Sequence, residues 1–136
     1  MLPVYIEKLG SVPDLELTRV VCVAEYNGKL VYCKHKQRDT WELPGGHIED
    51  GESWQETLKR EMYEETGAIE IEFKPICLYK ISTYGLLCYV KILKFDKLPN
   101  SEIEKIEFFD NEPENLTYKG THSLFLKTVK EKIKNV

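Results

Sequence analysis

Apolar residues fall along this chain in short runs, and punctuation residues separate them. In "TRVVCVAEYNGKLVYCKHK", Val20, Val21, Val23 and Ala24 run into Asn27-Gly28, and Leu30, Val31, Tyr32 and Cys33 return. Asn-Gly tolerates the left-handed backbone of a two-residue turn, so the pattern predicts a β-hairpin. A loop through "KQRDT" leads to a short extended piece, "WELP", and to Gly45-Gly46. Beyond a charged segment, "IEIEFKPICLYKI" and "YGLLCYVKILKF" are rich in β-branched and aromatic residues and predict two more strands. A short strand is expected near Ile106 to Phe109. In "THSLFLKTVKEKIKN", Leu124, Phe125, Val129 and Ile133 recur at helical spacing, which predicts a closing helix packed on the sheet. Strands, helix, strands and helix in that order imply an α/β fold with a mixed sheet between helices.

The charged segment holds the first of those helices. Ser53 followed by Glu56 is a capping-box pattern, and Gly67 suits the left-handed residue past a helix end, so a helix is expected from Trp54 to Thr66. At about 100° per residue, with Trp54 at zero, Leu58 falls near about 40° and Met62 near about 80°, the inward face. Glu56, Lys59 and Tyr63 point outward. Glu61 lands near about 340° and Glu65 near about 20°, inside the inward arc, with Glu64 at its margin near about 280°. The usual intrahelical partners are missing: four residues after Glu61 comes Glu65, and four after Glu64 comes Ala68. Carboxylates turned toward packed surface are costly without a counter-charge, and a bound dication would supply one. Oxygen-only donors on one helical turn suit Mg²⁺ or Mn²⁺, with phosphate oxygens and water completing the shell.

Composition narrows the partners. The 136 residues are the size of one ordinary domain, and 42% hydrophobic with 31% charged residues is a globular balance, so a single domain over residues 1–136 is expected. A net charge of −4 and no Lys/Arg cluster argue against nucleic acid as a partner. No run is long and apolar enough for a membrane helix, and "MLPVYIEKLG" lacks the features of a secretory signal, which leads to an expected cytoplasmic location. Cys22, Cys33, Cys77 and Cys88 show no CxxC spacing and sit in strand-like runs, as expected of reduced core side chains.

Gly46, five residues, Glu52, seven residues, Arg60-Glu61-Met62, one residue, Glu64-Glu65, one residue and Gly67-Ala68 together match the signature of the Nudix hydrolases, which this chain resembles. Ala68 stands where a larger aliphatic residue is more usual. The resemblance implies an α/β/α sandwich and cleavage of a nucleoside diphosphate linked to a further group, with Mg²⁺ or Mn²⁺ as cofactor. Carried over by position, it implies Glu61 and Glu65 as principal metal ligands, Glu64 as a further ligand, and a contribution from the Gly46 carbonyl. Glu52 and Arg60 would brace the loop and orient the ligands. The general base would be a box glutamate or a later acid, for which Glu107 is the candidate, with Glu102 and Glu104 as neighbours.

On the substrate side, Gly45, Gly46, His47 and Trp41 are candidate contacts, while His35 and His122 are expected to be structural. The small size, "GKLVYCKHKQRDTWELPGG" and "NEPENL" are similar to bacterial MutT-type members, which implies a nucleoside triphosphate, intact or oxidised, cleaved to monophosphate and pyrophosphate. Dinucleoside polyphosphates or nucleotide sugars are the alternative, with Tyr84 as the residue that would favour the former. Beyond enzymes, a nucleotide sensor on an inactive fold would be expected to lack the box glutamates. A monomer or homodimer acting on a small nucleotide is the expectation, with RNA-end processing disfavoured.

Overall fold

The computed structural model describes residues 2–134. In chain order it contains β1 (Tyr5–Glu7), a 3-10 turn (Asp14–Glu16), β2 (Leu17–Tyr26), β3 (Lys29–His35), β4 (Gly45–His47), α1 (Trp54–Thr66), β5 (Ala68–Ile81), β6 (Thr83–Phe95), β7 (Ile103–Phe109) and α2 (Thr121–Lys134). The two-residue turn forms as its sequence requires, with Asn27 at φ 50° and Gly28 at φ 80°. The sheet is mixed, in the order β1-β5-β6-β2-β3-β7. β2 is the hub. It runs parallel to β6, and its antiparallel partners divide its length: β4 takes Arg19 to Val21 and β3 takes Ala24 to Tyr26.

Alternation along the central strands builds two cores. Val20, Cys22 and Ala24 on β2, Leu86, Cys88 and Val90 on β6, and Val31 on β3 face Leu58 and Met62 of α1. Val23, Leu87, Leu30 and Tyr32 face the other way, onto Phe125, Leu126 and Val129 of α2. The sheet therefore lies between the two helices, as the pattern predicted. All four cysteines are free and buried.

Two features escape the sequence pattern. β1 is a three-residue edge strand paired with β5, too short to leave a hydrophobic period. β7 begins at Ile103 rather than near Ile106, because pairing with β3 extends it through the polar pair Glu104-Lys105. Among the described residues, no helix is long and apolar enough to cross a membrane.

Candidate active site

α1 starts and stops where its end residues direct. The Ser53 hydroxyl accepts the Glu56 amide, the Glu56 carboxylate accepts the Ser53 amide, and Gly67 at φ 80° ends the helix. Leu58 and Met62 are fully buried. This anchoring sets the helix rotation, so Glu61 and Glu65 turn toward β4 with side chains only 14% and 15% exposed, while Glu64 at the margin is 44% exposed.

The two glycines of β4 accommodate these carboxylates. The Gly45 amide donates to Glu65 Oε1 at 2.8 Å. A Cβ on Gly46 would overlap Glu61 Oε2 outright, and one on Gly45 would overlap the Val20 carbonyl. Burial pushes Glu61 up to about 7 against the pull of Arg60, with Glu64 adding to the rise. It pushes Glu65 up to about 8, partly offset by the Gly45 amide and reinforced by Glu61, Glu42 and Glu64.

Arg60 braces the loop ahead of the helix. Its Nε donates to Glu52 Oε2 at 2.7 Å and its Nη2 to Glu52 Oε1 at 2.9 Å, a two-pronged pair. Nη2 also reaches the His47 carbonyl at 3.1 Å. The Thr57 hydroxyl and the Glu49 amide bond the same Glu52 oxygen, and with Arg60 foremost they hold this carboxyl down to about 2. Nη1 then lies 3.2 Å from Glu61 Oε1 and 3.5 Å from Glu64 Oε1.

Hard oxygen donors, desolvated and mutually repelling, fit a divalent cation. Arg60 supplies the counter-charge in the geometry as it stands, and among the described residues no three carboxylate, imidazole or thiol groups converge in a set that could hold a metal ion.

Three further side chains reach this cluster, and the sequence reading did not assign them to it together. His35, at the end of β3, has Nε2 2.5 Å from Glu42 Oε1 and 4.0 Å from Glu65 Oε2. Its Nδ1 is 4.0 Å from the 91% exposed Glu102. Glu42 is buried in the "WELP" segment and also accepts Arg38 Nη1 at 3.1 and 3.2 Å. His35, expected to be structural, thus lies between Glu42 and Glu65 at the edge of the cluster.

Glu107 does not come to it. It stands opposite Tyr32 in the β3–β7 register, on the face that Tyr32 turns to α2, whereas Cys33 on the other face senses Glu65, Glu42 and Glu61. Glu104 is held by Lys34 at 2.8 Å. Of the late acids, only Glu102 approaches the cluster.

Trp41 also sits on the α2 side, edge-on to Phe109 at 5.3 Å with Lys105 over its ring, so it packs at the sheet margin away from the glutamates. His47 lies beside the cluster with an exposed side chain. Tyr84 packs on the α1-side core beneath Lys80. His122 is structural as expected: it is buried, accepts the Leu43 amide on Nδ1 at 3.2 Å, and burial lowers it to about 4.

The raised carboxyls predict an unusual pH dependence. Their folded values lie above the ordinary 4.5, so the folded state holds more protons than the unfolded state until the pH passes about 8. Metal-free stability should therefore fall as pH rises from 6.5 to 8.5, by roughly 2 kcal/mol or several degrees in melting temperature. Glu52, low at about 2, lies below this window, and His122, lowered from 6.5 to about 4, adds only a small opposing rise at its lower edge. Added Mg²⁺ should stabilise more at pH 8.5 than at 6.5. Melting curves with and without Mg²⁺ at the two pH values check this, and a flat metal-free profile would contradict it.

Known proteins resemble this chain in sequence and in fold. The NUDIX domain profile matches residues 16–120. A MutT-like protein of Streptomyces ambofaciens is 36% identical over 69 residues, 50% of this chain and 44% of that protein. The RNA pyrophosphohydrolase of Vibrio cholerae is 32% identical over 56 residues, 41% of this chain and 33% of that protein. The chain thus spans less than half the length of these curated relatives. Among solved structures, the Bacillus subtilis pyrophosphohydrolase BsRppH superimposes with a TM-score of 0.77 at 25% identity, covering 94% of this chain and 90% of that one. With a profile match running from the 3-10 turn to the start of α2, over a sheet flanked by two helices and a complete glutamate box, the chain belongs to the Nudix family.

Proposed function

We propose that the chain is a divalent-metal-dependent pyrophosphohydrolase acting on a nucleoside diphosphate linked to a further group, most simply a nucleoside triphosphate cleaved to monophosphate and pyrophosphate. The observation that carries this reading is the desolvated pair Glu61 and Glu65, held side by side against Gly46 and Gly45. Glu61, Glu65, Glu64 and the Gly46 carbonyl would hold Mg²⁺ or Mn²⁺, which when bound neutralises phosphate charge and acidifies water. Arg60, fixed by Glu52, orients Glu61 and Glu64. The lack of a side chain at Gly46 leaves room for the Glu61 carboxylate.

In the hydrolysis, the water oxygen forms a new bond to phosphorus, the bridging P–O bond breaks, and the departing phosphate keeps the bonding pair. The water proton needs an acceptor, and in this reading Glu102, whose Oε2 lies 4.0 Å from His35 Nδ1, would take it. Its loop is tied to α1 by the Ser101 hydroxyl, which donates to the Glu64 carbonyl at 3.0 Å. Glu102→Gln should lower kcat about a hundredfold, a usual worth of a general base, whereas Glu107→Gln should leave it near wild type.

A second reading is favoured by the names of two relatives, the RNA pyrophosphohydrolases of Vibrio cholerae and Haemophilus influenzae. In it the triphosphate is the 5′ end of an RNA. The test is a panel of canonical and oxidised deoxynucleoside triphosphates, a 5′-triphosphorylated oligoribonucleotide, dinucleoside polyphosphates and ADP-ribose, each with Mg²⁺, with Mn²⁺ and with chelator. Free triphosphates are expected to give the highest kcat/KM. A preference for the RNA end would favour the second reading, a preference for ADP-ribose would overturn both, and turnover that survives exhaustive chelation would remove the metal from the account.

A further inference from the structure

Glu42 presents a puzzle in the loop between β3 and β4. It is only 5% exposed, and its charge adds to the repulsion felt by Glu65. A side chain that merely tethered its loop would not need that position. The loop is already tied by its backbone, with paired bonds of 3.0 Å between Glu42 and Cys33, and bonds from the Trp41 amide to the Asn115 carbonyl at 2.8 Å and from the Thr117 amide to the Trp41 carbonyl at 2.9 Å. The Glu42 carboxylate is left for other work. Arg38 holds it on one side, and His35 Nε2 meets it on the other at 2.5 Å. The same nitrogen lies 4.0 Å from Glu65 Oε2, the oxygen that the Gly45 amide does not bind.

We propose that Glu42, acting through His35, is a positioning residue for Glu65: it holds the imidazole in the gap between the two carboxylates, where its Nε2 faces the free oxygen of the buried box glutamate at ion-pair distance. Glu65 Oε1 is held by Gly45 and Oε2 faces His35, so both oxygens have a defined neighbour despite the push from Glu61 and Glu64. Partners that orient ligating carboxylates typically change metal affinity or activity about 10–100-fold when removed. The inference rests on the proposed metal-phosphate site.

The experiment measures Mn²⁺ binding to the purified full chain by calorimetry, beside melting temperature, kcat and KM, for wild type, His35→Ala, His35→Gln, Glu42→Gln and Glu65→Gln. His35→Ala and Glu42→Gln are each expected to weaken Mn²⁺ binding about tenfold and lower kcat by a similar factor with little change in KM. A double variant carrying His35→Ala and Glu42→Gln, measured alongside, should lose no more than the more affected single, because both remove one linked device. His35→Gln should recover much of the loss, since its amide keeps a polar group facing Glu42. His35 lies at the site's rim, so its variants stay informative if Glu42→Gln lowers the melting temperature. If His35→Ala binds Mn²⁺ as wild type does while Glu65→Gln does not, the positioning role is overturned and the metal site stands. Wild type that binds no Mn²⁺, or Glu65→Gln that binds it unchanged, overturns both.

Discussion

Glu65→Gln is expected to abolish most activity while leaving the fold intact. The substitution keeps size and helix propensity, and its amide oxygen can still accept the Gly45 amide as Glu65 Oε1 does. What disappears is a carboxyl that, without metal, carries its negative charge only as the pH passes about 8, in a pocket where Glu65 is largely desolvated and faces Glu61 one turn away. If that charge holds metal, kcat should fall roughly a thousandfold, which corresponds to about 4 kcal/mol of transition-state stabilisation. Stability should move the other way. Without metal the change relieves repulsion and burial cost, so the melting temperature should stay equal or rise, and if the pair holds metal the stabilisation of wild type by added Mg²⁺ should shrink in the variant. A carboxylate that served only to hold the fold would behave oppositely, with lost stability and activity falling only with the folded fraction. Melting curves with and without Mg²⁺ beside kcat separate the two, and an early-melting variant of near-normal kcat would overturn the metal role of this helix.

Gly46→Ala should be nearly as damaging for a different reason. The added methyl would occupy the place of Glu61 Oε2 and come within 2.5 Å of its Cδ. β4 cannot retreat, because Gly46 is paired with Val20 and the Gly45 Cα is already packed on the β2 backbone. Glu61 must therefore swing away, toward or past Arg60 at 3.2 Å. A displacement of about 1 Å in a ligating or orienting group can cost on the order of a hundredfold, and that is the expected loss in kcat. The Glu61 side chain is flexible, so the fold should survive and the melting temperature should change by only a few degrees. Near-normal kcat in a folded Gly46→Ala protein would show that the observed place of Glu61 is not the working one.

Local signals explain what the sequence disclosed. The Ser53–Glu56 box, Gly67 and the spacing of Leu58 and Met62 lie within one segment, so the helix and the inward turn of Glu61 and Glu65 could be read directly from it. Asn27-Gly28 likewise carried its hairpin. His35, Glu42 and Glu102 were not legible as a group because long-range pairing assembles them. The β3–β7 ladder sets His35 against Ile103 after an irregularity at Lys34, and this brings Glu102 within reach. The same ladder explains the error over Glu107. Sequence position placed it near a late acid's usual place, but two-residue alternation turns it to the side of Tyr32. Trp41 and Glu42 show the same parity, one packing toward Phe109 and the other toward His35.

The parallel pairing of β2 with β6 also bears on how the chain reaches its working form. Each strand belongs to a hairpin closed by a tight turn, β2 with β3 at Asn27-Gly28 and β5 with β6 at Ser82, where φ is 65°. Such hairpins form in about 1–10 μs, whereas closure of a large loop to join residues 17–25 with 84–91 carries the cost of non-local contact. The floor under Leu58 and Met62 is made of Val20, Cys22 and Ala24 from one hairpin and Leu86, Cys88 and Val90 from the other. The acidic helix therefore has no complete seat until the two hairpins zip together. On a ribosome, where the N-terminal part of a chain emerges first, the glutamates would be synthesised well before β6 exists to hold their helix, so the folding of this site must wait for the second half of the sheet.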